Sequence, residues 1–326
     1  MKHLIVCILT FAMLLLAACE KRIDFNGEVA DPEVVLQSTP TAGDTIGLRL
    51  SYSRFFLDAT PFRMISDATL RLSVNGSPVA AATTYDAATG RYSIGYVPQG
   101  GDRLDLEVNV AGHAPVSATT TIPAPPAIDA FTIDAINGGD GEEGSDRRYN
   151  VRFRLHDEGT TDDYYLLHFR GTIDRIDSTQ RDGLPVCDTV TEEIYILFGC
   201  RDYLLLDQDE IAIDDEPTHY ELYFNDSRFN GLTHEIQLTV GIDGYFFDDH
   251  YASYGYSSRY DPASLRLTMY LSSLTRDLYL YRLTSRAQQD EFGSIFSEPT
   301  QIHTNVRGGI GIFAGSNTAA IQSDMP

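Results

Sequence analysis

The chain has 326 residues, 43% of them hydrophobic, which is enough for about two domains with cores of their own. It carries 24 Lys+Arg against 47 Asp+Glu, a formal net charge of −23, and a surface of that sign repels phosphate backbones and anionic headgroups. Nucleic acid is thereby excluded as a partner, and attachment to a membrane has to come from something other than charge.

The N-terminus supplies it. Met1-Lys2-His3 is followed by an apolar run from Leu4 to Leu16, the charged and hydrophobic parts of an export signal. That run is shorter than the ~20 apolar residues a bilayer span needs. It closes on Leu16-Ala17-Ala18-Cys19, where small residues suit a signal peptidase and the thiol accepts diacylglycerol. The expectation is a lipoprotein signal peptide over residues 1–18 and a lipidated Cys19 as the first mature residue. Two or more acyl chains anchor stably without any transmembrane helix.

Residues 19–32 read as a charged tether. Strands then follow by period-two alternation, from about Glu33 to Gln37, through Ile46/Leu48/Leu50/Tyr52 and Ala68/Leu70/Leu72/Val74. Asn75-Gly76 after the third is a hairpin turn signal. Val79–Thr84, Tyr92–Tyr96, Leu104–Val110 and Val116–Ile122 continue the series. Short half-buried strands at this spacing predict an immunoglobulin-like β-sandwich over residues 33–122. Pro123-Ala124-Pro125-Pro126 interrupts it, because proline cannot donate to a ladder, and residues 123–127 are read as a linker.

From residue 128 to 326 the pattern is again β, giving a larger C-terminal sandwich domain and an all-β fold class. Its strands are expected at Ile128–Ile136, Tyr149–Leu155, Tyr165–Phe169, Glu193–Phe198, His219–Phe224, Ile236–Ile242 and Leu265–Leu271. Leu274, Leu278 and Tyr281 recur instead at helical spacing. With Thr275 as cap and Asp277 in the first turn, they predict one long helix over residues 275–289. Of four cysteines, Cys7 is lost with the leader and Cys19 is acylated, so Cys187 and Cys200 are expected to form a disulfide in an oxidising compartment. Neither has a neighbouring His or Cys that would suggest zinc.

Several of these stretches resemble the Bacteroidetes outer-membrane lipoproteins of the domain of unknown function 4249 family. They are the lipid cysteine with Glu20-Lys21-Arg22-Ile23-Asp24, Ser66-Asp67-Ala68-Thr69-Leu70 before Asn75-Gly76, and Ile122-Pro123-Ala124-Pro125-Pro126. Asp163-Tyr164-Tyr165, Phe224-Asn225-Asp226 through Phe229-Asn230-Gly231, and Tyr279-Leu280-Tyr281 follow. The closing run is Phe296-Ser297-Glu298-Pro299, Thr304-Asn305-Val306 and Gly308-Gly309-Ile310-Gly311-Ile312-Phe313-Ala314-Gly315. The resemblance implies an outer-membrane location beside a TonB-dependent receptor, and it brings no catalytic residues. The mixed charge of Glu20-Lys21-Arg22 leaves the cell-surface and periplasmic faces both open.

Read for chemistry, the chain offers no Gly-x-Ser-x-Gly elbow, HExxH helix or phosphate-cradling loop, and Gly308 to Gly315, lacking a lysine, reads as backbone close-packing. Asp140, Glu142 and Asp146 offer oxygen ligands for Ca2+ but lack the alternation of a calcium loop, and a solvated turn is the alternative. The recognition candidate is an aromatic loop of Tyr245, Phe246, Phe247, Tyr251, Tyr254 and Tyr256, whose rings can stack on a ligand or face a hairpin core. The resulting expectation is a membrane-anchored, non-enzymatic accessory or binding protein that works with a TonB-dependent receptor in nutrient uptake and takes an unidentified small ligand. A surface hydrolase acting on glycans or peptides and a structural envelope spacer are the alternatives.

Overall fold

The structure is a computed structural model that describes residues 30–55, 58–136, 147–181, 184–206, 217–243, 246, 258–291 and 300–326. Two units separate. One comprises residues 1–32 and 54–60, where the Asp58 carboxylate accepts from the Thr60 N–H and hydroxyl at 2.9 and 3.0 Å. The other comprises residues 33–53 and 61–326 and holds all of the regular structure described below. The fold class is all-β, and the described residues include one helix near the C-terminus, as the sequence pattern predicted.

The first eight strands are β1 (Val34–Ser38), β2 (Ile46–Tyr52), β3 (Thr69–Val74), β4 (Ser77–Pro78), β5 (Thr83–Asp86), β6 (Arg91–Ile94), β7 (Arg103–Asn109) and β8 (Val116–Thr121). They form two sheets, β1-β2-β6-β5 and β4-β3-β7-β8, which bury Leu36, Leu48, Leu50, Leu104, Leu106 and Val108 in a shared core. Each strand has one apolar face, so burial needs a second sheet opposite. Asn75 and Gly76 turn the β3–β4 hairpin with φ of +52° and +80°, a left-handed pair that this dipeptide tolerates. The strand expected at Val79–Thr84 is not continuous. β4 belongs to one sheet and β5 to the other, so residues 79–82 are the crossing between them.

The larger sheet contains β9 (Ala127–Ala135), β10 (Arg147–His156), β11 (Tyr164–Arg181), β12 (Leu184–Cys200), β13 (Thr218–His219), β14 (Glu221–Asn225), β15 (Thr233–Ile242), β16 (Ser258–Leu274) and β18 (Ser316–Asp324). Its order is β18-β16-β11-β12-β15-β10-β9. It curls so that Phe153 of β10 and Leu238 of β15 share one core with Phe169 of β11 and Met269 of β16. Residues 164–168 of β11 pair with β14 and residues 169–181 with β12, so one strand serves both parts of the curl.

The expected disulfide is corrected by this topology. Cys187 and Cys200 lie on the same strand, β12, opposite Ser178 and Leu238 respectively, and no bond joins them. Thirteen residues of strand span about 43 Å, against the 7 Å or less between Cα atoms that a disulfide bridges. Two cysteines near in sequence are far apart when the chain between them is fully extended.

The helix α1 (Arg276–Glu291) starts where predicted, with the Leu278 N–H reaching the Thr275 hydroxyl at 3.4 Å. It buries Leu278 and Tyr279, with Leu274 just before it, against Ile312 and Ala314. Ile312 belongs to β17 (Ile310–Phe313), which pairs in parallel with β1 and puts Phe313 into the N-terminal core. Asn305 lines the outer edge of this strand, giving its amide N–H to the Phe313 carbonyl at 2.8 Å and accepting from the Phe313 N–H at 3.0 Å. The glycines of the tail are close-packing positions: a Cβ on Gly311 would lie 2.0 Å from the Leu36 carbonyl oxygen, and its φ is +120°.

Candidate functional site

Along β12 the side chains alternate. Ile196 and Phe198 enter the core, which turns Tyr195 and Leu197 to the opposite, solvent-facing side, with Tyr195 71% exposed. Tyr220, in the single-residue gap between β13 and β14, is 59% exposed beside them. Single exposed rings are ordinary on a protein surface, and these two bear on recognition because they stand together with Leu197 in one patch.

These two tyrosines stand between two cavities. One, of about 380 Å³, is lined by Arg148, Tyr195, Leu197, Tyr220, Thr239 and Phe246. The other, of about 480 Å³, is lined by His168, Arg170, Tyr195, Tyr220, Arg282 and Arg286. Thr218 also lines both, so the pair form one groove across the outer face of the curled sheet with a tyrosine ridge in the middle.

The groove is basic although the chain is acidic. Arg148, Arg170, Arg282 and Arg286 line it, against Glu221 and Asp243. Arg170 lies over the Tyr195 ring at 3.5 Å and reaches Glu193 at 3.2 Å, which fixes both the ring and the guanidinium. Arg282 and Arg286 are four apart on α1 and therefore share one helix face. Burial, followed by Arg170, holds the His168 imidazole below its ordinary range, and the ring stacks on Tyr270 at 4.9 Å. Its Nδ1 and the Ser285 hydroxyl have no hydrogen-bond partner among the described residues. Burial and then Glu221 push the Tyr223 phenol up, against the opposing pull of Arg282 and Arg286. Chemically the groove offers ring faces for stacking and guanidinium groups for carboxylate or sulfate.

Of the residues singled out from sequence, Phe246 is described and lines the first cavity. It packs edge-on against Tyr260 at 5.0 Å, and the Tyr260 hydroxyl donates to Glu192 at 3.0 Å. Tyr245, Phe247, Tyr251, Tyr254 and Tyr256, as well as Cys19 and Asp140, Glu142 and Asp146, lie outside the described residues. Tyr195 and Tyr220 escaped the sequence reading because they lie 25 residues apart, with Tyr220 in the gap between two strands rather than in an alternating run. The one available signal was Tyr195 occupying the polar register of an alternating segment, Glu193 to Phe198.

A family model described as "Domain of unknown function (DUF4249)" matches residues 20–322. No curated protein matches the chain. A solved structure titled "Biofilm associated protein - BSP domain" aligns at 9% identity with a TM-score of 0.20, over 93% of this chain and 62% of that one. The chain thus spans less than two thirds of that structure's length. Among the described residues no helix is long and apolar enough to cross a membrane.

Proposed function

This chain belongs to the DUF4249 family, whose model takes in residues 20–322, and on that premise we propose that it is a lipid-anchored, non-enzymatic binding protein. Its groove takes a carboxylated or sulfated ligand with flat faces, such as an acidic oligosaccharide. The observation that supports this most is the groove itself: two exposed tyrosines flanked by four arginines, in a chain of net charge −23. An acidic protein gains nothing in solubility from such a patch, whereas stacking plus paired guanidinium groups is a recognised way to hold a flat anion. The lipobox at Cys19 supports attachment to the outer membrane, and the family resemblance supports a TonB-dependent receptor as partner in uptake.

Equilibrium binding of the purified chain to matched acidic and neutral oligosaccharides tests the groove. Acidic members are expected to bind, and Tyr195→Ala with Tyr220→Ala is expected to weaken binding by about tenfold or more per ring, as truncation of a central aromatic anchor does. Equal binding of neutral and acidic ligands, or an unaffected double variant, would overturn the assignment. Recovery of a receptor with the native protein from solubilised membranes tests the partnership separately.

A further inference from the structure

Three strand ends meet at a place the groove does not use. Asp157 directly follows β10, Asp163 directly precedes β11 and Asp226 directly follows β14. Because Asn225 of β14 stands opposite Tyr164 of β11, the next residues along, Asp226 and Asp163, also face each other. The Asp226 N–H donates to the Asp163 carbonyl at 3.1 Å. The loop after β10 folds onto the turn after β14 so closely that a Cβ on Gly159 would come within 2.5 Å of the Gly231 Cα. Asp157 Oδ2 accepts from the backbone N–H groups of both glycines. As a result, one carboxylate oxygen from each of the three aspartates lies within 4.8 Å of the other two.

Surface carboxylates cluster often and mean little, but Asp226 is 1% exposed and its Oδ2 has no hydrogen-bond partner among the described residues. A buried carboxylate oxygen in that state is unfavourable unless a cation or a proton meets it. Burial pushes the Asp226 carboxyl up to about 6; a backbone hydrogen bond at Asp163 only partly opposes this, and the carboxylates of Asp157, Asp163 and Asp162 add to it. Burial, then Asp157, raises Asp163 as well. The Tyr165 phenol is raised by burial and then by Asp163, Asp157 and Asp226 in turn.

We propose that Asp157, Asp163 and Asp226 bind Ca2+. The donors are hard carboxylate oxygens without nitrogen or sulfur, which selects the alkaline-earth cations. Oxygens that all lie within 4.8 Å of one another can share one ion, and a set of three carboxylates from three separate loops completed by water suits the flexible, higher coordination of Ca2+ better than the near-ideal octahedron of Mg2+. Asp157 and Asp163 are only half-buried, so water completes the coordination on their side. A bound ion would tie the β10–β11 loop to the β14 turn. Two of the stretches that carry the family resemblance, Asp163-Tyr164-Tyr165 and Phe224-Asn225-Asp226, meet at this point.

The test is thermal unfolding of the full chain, stripped with EDTA and then given CaCl2 at about 1 mM, the range of extracellular calcium sites. The midpoint is expected to rise by a few degrees, because an ion that binds only the folded state stabilises it. The rise should be lost in Asp226→Asn and retained when Asp140→Asn, Glu142→Gln and Asp146→Asn are combined. No rise in the unaltered protein, or an equal rise with Asp226→Asn, overturns the site. Should Asp226→Asn not fold, Asp163→Asn serves with Tb3+ as probe, since the Tyr165 hydroxyl is 3.4 Å from Asp157 Oδ1 and can sensitise emission. Emission that Ca2+ displaces, and that falls several-fold in Asp163→Asn, supports the proposal, and emission indifferent to that substitution refutes it.

Discussion

Gly311→Ala is the sharpest probe of how the glycine-rich tail works. The new Cβ would sit 2.0 Å from the Leu36 carbonyl oxygen and 2.9 Å from its carbon, both backbone atoms in a paired strand that cannot swing aside. Relief requires β17 to leave β1, which forfeits the pairing of Val35 to Ser38 with Ile310 to Phe313. It also withdraws Phe313 and Ile312, both at most 1% exposed, from two different cores. Each ladder bond contributes about 1 kcal/mol and each of those side chains about 1.5–3 kcal/mol, so a loss of at least about 4 kcal/mol is expected. That is a large part of the 5–15 kcal/mol by which domains are typically stable. Gly101 is the control: its φ is +89°, yet nothing lies within 4 Å of its would-be Cβ. Gly101→Ala should therefore cost only the backbone term of about 1–2 kcal/mol. Urea unfolding followed by far-UV circular dichroism compares the two. Equal midpoints would mean that β17 is not locked against β1, and the account of the tail would fail.

Further outcomes follow from the rest of the fold. Because the extended strand keeps Cys187 and Cys200 from bonding to each other, the addition of dithiothreitol should leave the melting midpoint unchanged; a drop on reduction would show a bond between them that the strand geometry forbids. Asp102 accepts from the Gln99 N–H, the Tyr96 hydroxyl and the Asn75 amide, and these bonds hold its carboxyl below the ordinary range, the Gln99 one most. Its stabilisation is thus present above the unfolded-state value near 4 and lost as pH falls through the lower folded value. Melting curves of the unaltered protein and Asp102→Asn should lie apart at pH 7 and converge under acid; parallel curves would refute this. Arg282→Ala with Arg286→Ala should weaken binding of an acidic ligand without lowering the melting midpoint, since both side chains are exposed on α1.

Much of the architecture was legible locally. Ile46/Leu48/Leu50 and Leu104/Leu106/Val108 alternate because each strand has one wet face, and that is where β2 and β7 run. The helix was marked by Thr275 and Asp277, although its buried face falls on Leu278 and Tyr279, with Tyr281 only partly covered. The length of the β11–β12 hairpin was not legible. Its outer half mixes charged and hydroxylated residues such as Asp174, Arg175, Asp177 and Thr191 with scattered apolar ones such as Ile176, Val186 and Val190, so ladder pairing continues where the clean apolar alternation stops. The functional features are long-range. Tyr195 and Tyr220 come together only because β13 pairs with β12, and Asp163 meets Asp226 only because β11 pairs with β14. No window of local sequence contains either pair. The cysteines misled for the opposite reason, since closeness in sequence says nothing about distance once the chain between them is a strand.

The most direct test of the groove as a binding site uses a residue the chain lacks. The sequence has no tryptophan, so Tyr220→Trp places a single indole on the ridge between the two cavities. Titration with an acidic oligosaccharide should change its emission saturably, and added Arg282→Ala and Arg286→Ala should shift that curve to higher concentration. An indole whose emission stays constant while the ligand demonstrably binds would put the site elsewhere on the protein.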